Sequence, residues 1–394
     1  MYCSVAEGRG IMHVYVRKLK TKGEMRMAVS LQDKFYGCIA GSQIGSAMGA
    51  IVESMSHAAT EKQYGTLNAL YSYEHYGNGW VREPGTTEDG IERQKMLISA
   101  IMDKGDRINA EDVRRIWVRD MNPLAPGNIA EPFEAALLEM AKAGVPARDI
   151  GKYCDYANLC SFSRACHPIG LINAGDEAAA VEDVMEVGQL YQSSNSRGLQ
   201  WACVTAVAIA AATRPNATVD SVLQAIFDHC SMKQVVEGRE GWYAKYAGAN
   251  VAEEIKDALE LTKDCKDFRE LRVKMDTKYM AYGLPYSQSF ANEVVTKGVC
   301  IFRMVGGNVT EAIIAASNMG RDTDCCAAVA SGIAGAFSGG AVLPAEWVEQ
   351  VDAATVVNPF TNSKRTVREN ADGVYNAYLA RYAKMRNTAE MMGV

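Results

Sequence analysis

The chain has 394 residues, 48% of them hydrophobic and 22% charged, with a formal net charge of -6. That length suits one large domain or two, and the composition suits a buried core. The acidic balance and the lack of a basic stripe interleaved with aromatics speak against a nucleic-acid partner, because phosphate backbones are held by clustered Lys and Arg. The 11 cysteines are scattered without a C-x-x-C pair, so neither a zinc knuckle nor a disulfide framework is written in the chain. Reduced thiols in a cytoplasmic protein are the expectation.

Residues 1–30 are basic and lack the continuous apolar run and small-residue cleavage site of a secretory signal. They are expected to form an extension ahead of a single domain spanning residues 31–394. From Phe35 to Val52 no residue carries a charge, and glycines recur at 37, 41, 45 and 49. The i, i+4 repeat puts all four on one helix face, where each costs about 1 kcal/mol against alanine unless another helix approaches closely. Ser42, Gln43 and Ser46 dilute the apolarity, so this stretch predicts a core helix ending at Glu53 rather than a membrane span.

After a Tyr- and Gly-rich loop comes Thr87-Glu88-Asp89-Gly90, an acidic turn ahead of a helix over Ile91–Met102. Further helices are predicted over 131–143, 177–192, 199–213, 219–228, 251–262 and 293–305. No segment shows sustained period-two alternation, so the chain predicts an all-α fold.

A second acidic turn, Asp322-Thr323-Asp324, follows Gly320 and precedes an uncharged run from Cys325 to Leu343. A helix so apolar on all sides carries its first turn into the interior. Buried carboxylates need cations, hydrogen bonds or protonation. Oxygen ligands from an Asp-x-Asp turn suit a hard divalent ion such as Mg²⁺. The plainer alternative is an N-cap Asp with a solvated neighbour, and Glu88 invites the same alternative at Ile91.

Glu53, Thr87-Glu88-Asp89 and Asp322-x-Asp324, in that order, resemble the ADP-ribosylglycohydrolase family. The motifs behind the resemblance are G-S-A-M-G-A-I-V-E, T-E-D-G, the block G-N-V-T-E-A-I-I-A-A-S-N-M-G-R-D-T-D and S-G-I-A-G-A-F-S-G-G. The resemblance implies an all-α orthogonal helical bundle with a central metal cleft, and hydrolysis of a glycosidic bond to ribose or ADP-ribose. It also implies two Mg²⁺ ions, with Mn²⁺ as a substitute. Metal positions carry over to Thr87, Glu88, Asp89, Asp322, Asp324 and Cys325, and catalytic positions to Glu53 and Asp89. A carboxylate would position water against the anomeric carbon as oxocarbenium character develops.

The chain departs from the family at several of these positions. Glu88 stands for an Asp, Gly90 and Cys325 for threonines, and Ser46 for an acid. The segment from Cys160 to Pro168 replaces a glycine- and asparagine-rich substrate loop. Ser161, Ser163, Arg164, His167 and Gln192 are therefore expected to read a divergent leaving group on a small-molecule ribosyl substrate. For His167 and Arg164 the plainer alternatives are an ordinary loop histidine and a solvated arginine. A non-catalytic ADP-ribose or nucleotide binding protein, or an N-ribosyl hydrolase of a nucleoside-like metabolite, are the competing readings of the whole chain.

Overall fold

A computed structural model describes residues 29–74, 79–121, 132–154, 156–194, 196–230, 251–279 and 287–393. The extension expected over residues 1–30 lies outside them up to residue 28. The fold is all-α, and the helices expected from periodicity are present with ends shifted by a few residues. Helix 131–143 is found as Pro132–Lys142, and helix 251–262 as Val251–Leu261. The segment 177–192 forms Glu177–Val187 and then a short 3-10 turn, Gly188–Leu190. Among the described residues no helix is long and apolar enough to cross a membrane.

Four helices position the site: α1 (Leu31–Ala50), α2 (Asp89–Lys104), α3 (Arg197–Ala212) and α4 (Thr323–Ser338). Ser30 caps α1 by accepting from the Asp33 amide at 3.1 Å. The centre of the fold is α4, buried on every side and packed against α1, α3 and the helices Ala291–Met304 and Val309–Ser317.

The glycine face of α1 meets α4 in antiparallel register, with Gly37, Gly41, Gly45 and Gly49 lying against Gly335, Ser331, Ala327 and Thr323. A Cβ on Gly41 would come within 2.5 Å of the Ser331 carbonyl oxygen, so only glycine permits this approach. The contact is also hydrogen-bonded, because the hydroxyls of Thr323 and Ser331 each donate at 2.7 Å to the carbonyls of Gly49 and Gly41. Antiparallel packing in this register leaves the last turn of α1 beside the first turn of α4. Glu53 and the Asp322 turn are thereby delivered to one place.

Several elements were not anticipated, among them the helices Ala110–Asp120, Phe268–Lys278 and Ala345–Val357 and a short hairpin. Tyr73–Glu74 (β1) and Val81–Arg82 (β2) pair antiparallel, with Tyr73 opposite Arg82. Strands of two residues carry no alternation for a sequence pattern to detect.

Candidate active site

Five carboxylates converge where α1, α2 and α4 end. Glu53 lies past the end of α1, in a turn over residues 51–54, and is partly buried; Glu88, Asp89, Asp322 and Asp324 are buried. Carboxylate oxygens of Glu53, Asp322 and Asp324 all lie within 4.8 Å of one another. So many anions out of water require compensation, and the structure supplies it differently on the two sides of the cluster.

On the α2 side the compensation is built in. Glu88 occupies the N-cap position of α2, yet its side chain makes no capping hydrogen bond. Its Oε1 instead accepts from Tyr73 Oη at 2.6 Å and pairs with Arg82 Nε at 3.1 Å. The hairpin thus brings two partners to Glu88, and Arg82 is itself stacked over Trp80, 4.3 Å from the ring centroid. Asp89 Oδ2 pairs with Arg93 at 2.8 Å and with Arg164 at 2.6 Å. Burial alone would push Asp89 up, but the Arg164 and Arg93 guanidiniums hold it below the usual carboxylate range. Thr87 is buried beside this pair of acids.

On the α4 side the balance reverses. Asp322 caps α4 by accepting from the Cys325 amide at 3.3 Å through Oδ1, while Oδ2 faces Cys160 Sγ at 3.8 Å. The N-cap reading and the cluster reading therefore both hold for this residue. Burial, and then the neighbouring Glu53, raise Asp322; burial, and then Asp322, push Asp324 up to about 7. Glu53 is raised well above the carboxylate range by burial first and by Asp324 and Glu88 next. Among the described residues Asp324 Oδ1 is buried with no hydrogen-bond donor, although its Oδ2 lies 3.5 Å from Arg164 Nη1.

Three hard anionic oxygen donors with a buried oxygen left over are a set that could hold a divalent cation of the Mg²⁺ type. Cys325 adds a softer donor. Its Sγ lies 3.0 Å from Arg164 Nη1 and, with Cys160 Sγ and an Asp322 oxygen, forms a second group within 4.8 Å. Burial, followed by the hydrogen bond with Cys160, raises the Cys325 thiol well above its ordinary value.

The residues expected to read the leaving group are split by the structure. Arg164 is drawn into the acidic cluster, and Ser161 is buried nearby in the same segment. Ser163, His167 and Gln192 have no exposed surface. Ser163 donates to the Gly198 carbonyl at 3.4 Å, and His167 Nε2 meets the Ala328 carbonyl of α4 at 2.9 Å. Gln192 donates to the carbonyls of Tyr156 and Leu159 at 3.0 and 2.9 Å. Burial pushes His167 down to about 4, so it is neutral in the core. Tyr73, Arg82, Arg93 and Cys160 belong to the cluster and carried no signal in the sequence beyond their residue types.

A profile of the ADP-ribosylglycohydrolase family matches residues 27–383. A comparison with curated proteins finds no match. A solved structure of an ADP-ribosylglycohydrolase-related protein complex aligns over 89% of this chain and 98% of that chain, with 16% identity and a TM-score of 0.58, a likeness in fold. With the profile spanning residues 27–383 and the acidic turns gathered in one cluster, the chain belongs to the ADP-ribosylglycohydrolase family, a family of hydrolases.

Proposed function

We propose that this protein hydrolyses a glycosidic bond to ribose or ADP-ribose on a small-molecule substrate, assisted by a divalent cation, Mg²⁺ or Mn²⁺. The observation that supports it is the convergence of Glu53, Asp322 and Asp324 within 4.8 Å in a chain of this family. These three residues would hold the ion. When bound, a divalent cation supplies positive charge that orients sugar hydroxyls and polarises the reacting centre.

The chain's own residues do the rest. Glu53 is the most exposed of the five carboxylates and so the one best placed to meet a substrate. With one oxygen on the ion, whose charge would keep Glu53 ionised although burial raises it here, its other oxygen would take a proton from the attacking water as the anomeric carbon gains oxocarbenium character, and the proton returns to the leaving group. Asp89, kept ionised by two guanidiniums, positions Arg164 beside Asp324.

The test is turnover of ADP-ribosyl conjugates, ribonucleosides and ribonucleotides with Mg²⁺ or Mn²⁺ in excess. Release of ribose or ADP-ribose that falls by about 10²-fold or more in Glu53→Gln is the expected result. Binding of these compounds without turnover, unchanged by Glu53→Gln, would instead establish the competing reading, a non-catalytic ribosyl-binding protein.

A further inference from the structure

The departures from the family pattern at Gly90 and Arg164 are one structural event. The Arg164 side chain runs along the face of Gly90, where a Cβ would lie 2.6 Å from Arg164 Cδ and 2.9 Å from Cγ. Gly90 does not have a left-handed φ, so the backbone itself does not demand glycine there. What the missing side chain provides is room for the arginine. Through that opening the guanidinium reaches Asp89 Oδ2 at 2.6 Å with Nη2, and Asp324 Oδ2 at 3.5 Å and Cys325 Sγ at 3.0 Å with Nη1. It spans the two acidic turns from the interior, and it is itself buried.

We propose that the Arg164 guanidinium is a built-in cation standing in for one of the two divalent ions that the family resemblance implies, so that the cluster takes a single exchangeable ion, on Glu53, Asp322 and Asp324. The proposal rests on the divalent-ion reading given above. On the α2 side the carboxylates are already engaged: Glu88 with Arg82 and Tyr73, and Asp89 with both Arg93 and Arg164. A second divalent ion at Asp89 would sit against two guanidiniums in a poorly screened interior, and like charges repel strongly there. On the α4 side, Asp324 Oδ1 is a buried oxygen without a donor among the described residues, which is what an ion would complete. An arginine is always charged and cannot dissociate, so its share of the cluster's positive charge is independent of ion supply.

The count of bound ions decides the matter. The full chain, stripped with a chelator, is titrated with Mn²⁺ and followed by native mass spectrometry and by electron paramagnetic resonance, in which two ions a few ångströms apart couple and one does not. The wild type should bind one uncoupled Mn²⁺. Arg164→Gln, neutral and of similar shape, and Gly90→Thr, which evicts the arginine, should each admit a second, coupled ion. If one variant fails to fold by circular dichroism the other carries the comparison, and the wild-type count stands alone as a test. Two coupled ions in the wild type, or a count fixed at one in the folded variants, would overturn the role given to Arg164 while leaving the cation reading intact. No ion in the wild type would overturn both.

Discussion

The Ser54 amide donates to the Arg321 carbonyl at 2.8 Å, and both residues hold left-handed φ angles, 64° and 70°. The Arg321 amide returns the bond to the Met55 carbonyl at 2.9 Å, and the Arg321 side chain is anchored on buried Glu293 at 2.6 and 2.9 Å. Two turns far apart in sequence are thus clasped main chain to main chain. One carries Glu53 and the other Asp322, so their juxtaposition is set by the backbone rather than by mobile side chains. Residues without glycine's freedom at such angles cost of order 1–3 kcal/mol, strain that persists where function over-determines it.

Ser54 therefore offers a test of the clasp. Ser54→Gly accepts the same φ and should unfold in denaturant within about 0.5 kcal/mol of wild type. Ser54→Val, β-branched at positive φ, should lose about 1–3 kcal/mol and weaken Mn²⁺ binding together with stability. A valine variant as stable as the glycine one, with unchanged Mn²⁺ affinity, would show that the turn does not set the ion site.

The glycine face of α1 predicts a reversal of an ordinary rule. In an exposed helix Gly→Ala gains about 1 kcal/mol. At Gly45 the new methyl would lie 2.7 Å from the Ala327 carbonyl oxygen and closer still to Ser331 Oγ, so Gly45→Ala should instead cost about 1–3 kcal/mol through overpacking. Thermal unfolding reads the sign directly, and a stabilised Gly45→Ala would mean the two helices separate more easily than their register implies.

The acid cluster sets a pH dependence whose sign can be worked out. Burial, then Asp322, raise Asp324 to about 7 in the folded chain. An unfolded aspartate titrates near about 3.9. Between these values the folded state holds the extra proton, so this contribution is fully present below the unfolded value and disappears as pH rises through about 7. Asp322 is raised and acts in the same direction, whereas Asp89 is lowered and loses its contribution only on acidification. Buried His167, pushed down to about 4, opposes part of this, but with Asp324, Asp322 and Glu53 all raised the ion-free protein should still melt at a lower temperature at pH 8 than at pH 5.5. Asp324→Asn should flatten that difference, and added Mn²⁺ should remove it by replacing the proton. A melting temperature that rises across this interval in the ion-free protein, with no response to Asp324→Asn, would contradict the assignment.

What was legible in the sequence divides by the range of the signal. The glycines of α1 and the uncharged run of α4 are local patterns, and a helix face of four glycines has few uses except close contact with another helix. Glu53, Asp322 and Asp324 were grouped through the order of motifs that resembles the ADP-ribosylglycohydrolase family, and their meeting comes from the packing of α1 on α4, which the sequence did not state. Arg164 was read from its neighbours in sequence as a contact for the leaving group, but its place beside Asp89 depends on the space left at Gly90, which no local pattern reports. Tyr73 and Arg82 were invisible for a similar reason, since strands of two residues leave no period. Ser163, His167 and Gln192 lie in a segment that looks like a loop, yet their polar atoms are taken up by main-chain carbonyls in the core.

Cys325 yields the last prediction, because its thiol stands where a hydroxyl would be the natural companion of a hard ion. Its Sγ lies 3.5 Å from Asp324 Oδ2 and belongs with Cys160 and Asp322 to a group within 4.8 Å, so it faces the carboxylates rather than only the apolar interior. Burial keeps the thiol protonated at neutral pH, and an ion that draws on it must displace that proton. Thiophilic ions recover that cost through the sulfur, whereas Mg²⁺ does not. The wild type should consequently favour Zn²⁺ or Mn²⁺ over Mg²⁺ more than Cys325→Thr does, with the Zn²⁺:Mg²⁺ affinity ratio falling by roughly tenfold in the variant, equivalent to about 1.4 kcal/mol. Competition calorimetry on the two chelator-stripped proteins gives that ratio. Identical preferences would show that Cys325 only fills space between α4 and the Cys160 segment, and that the ion is held by oxygen alone.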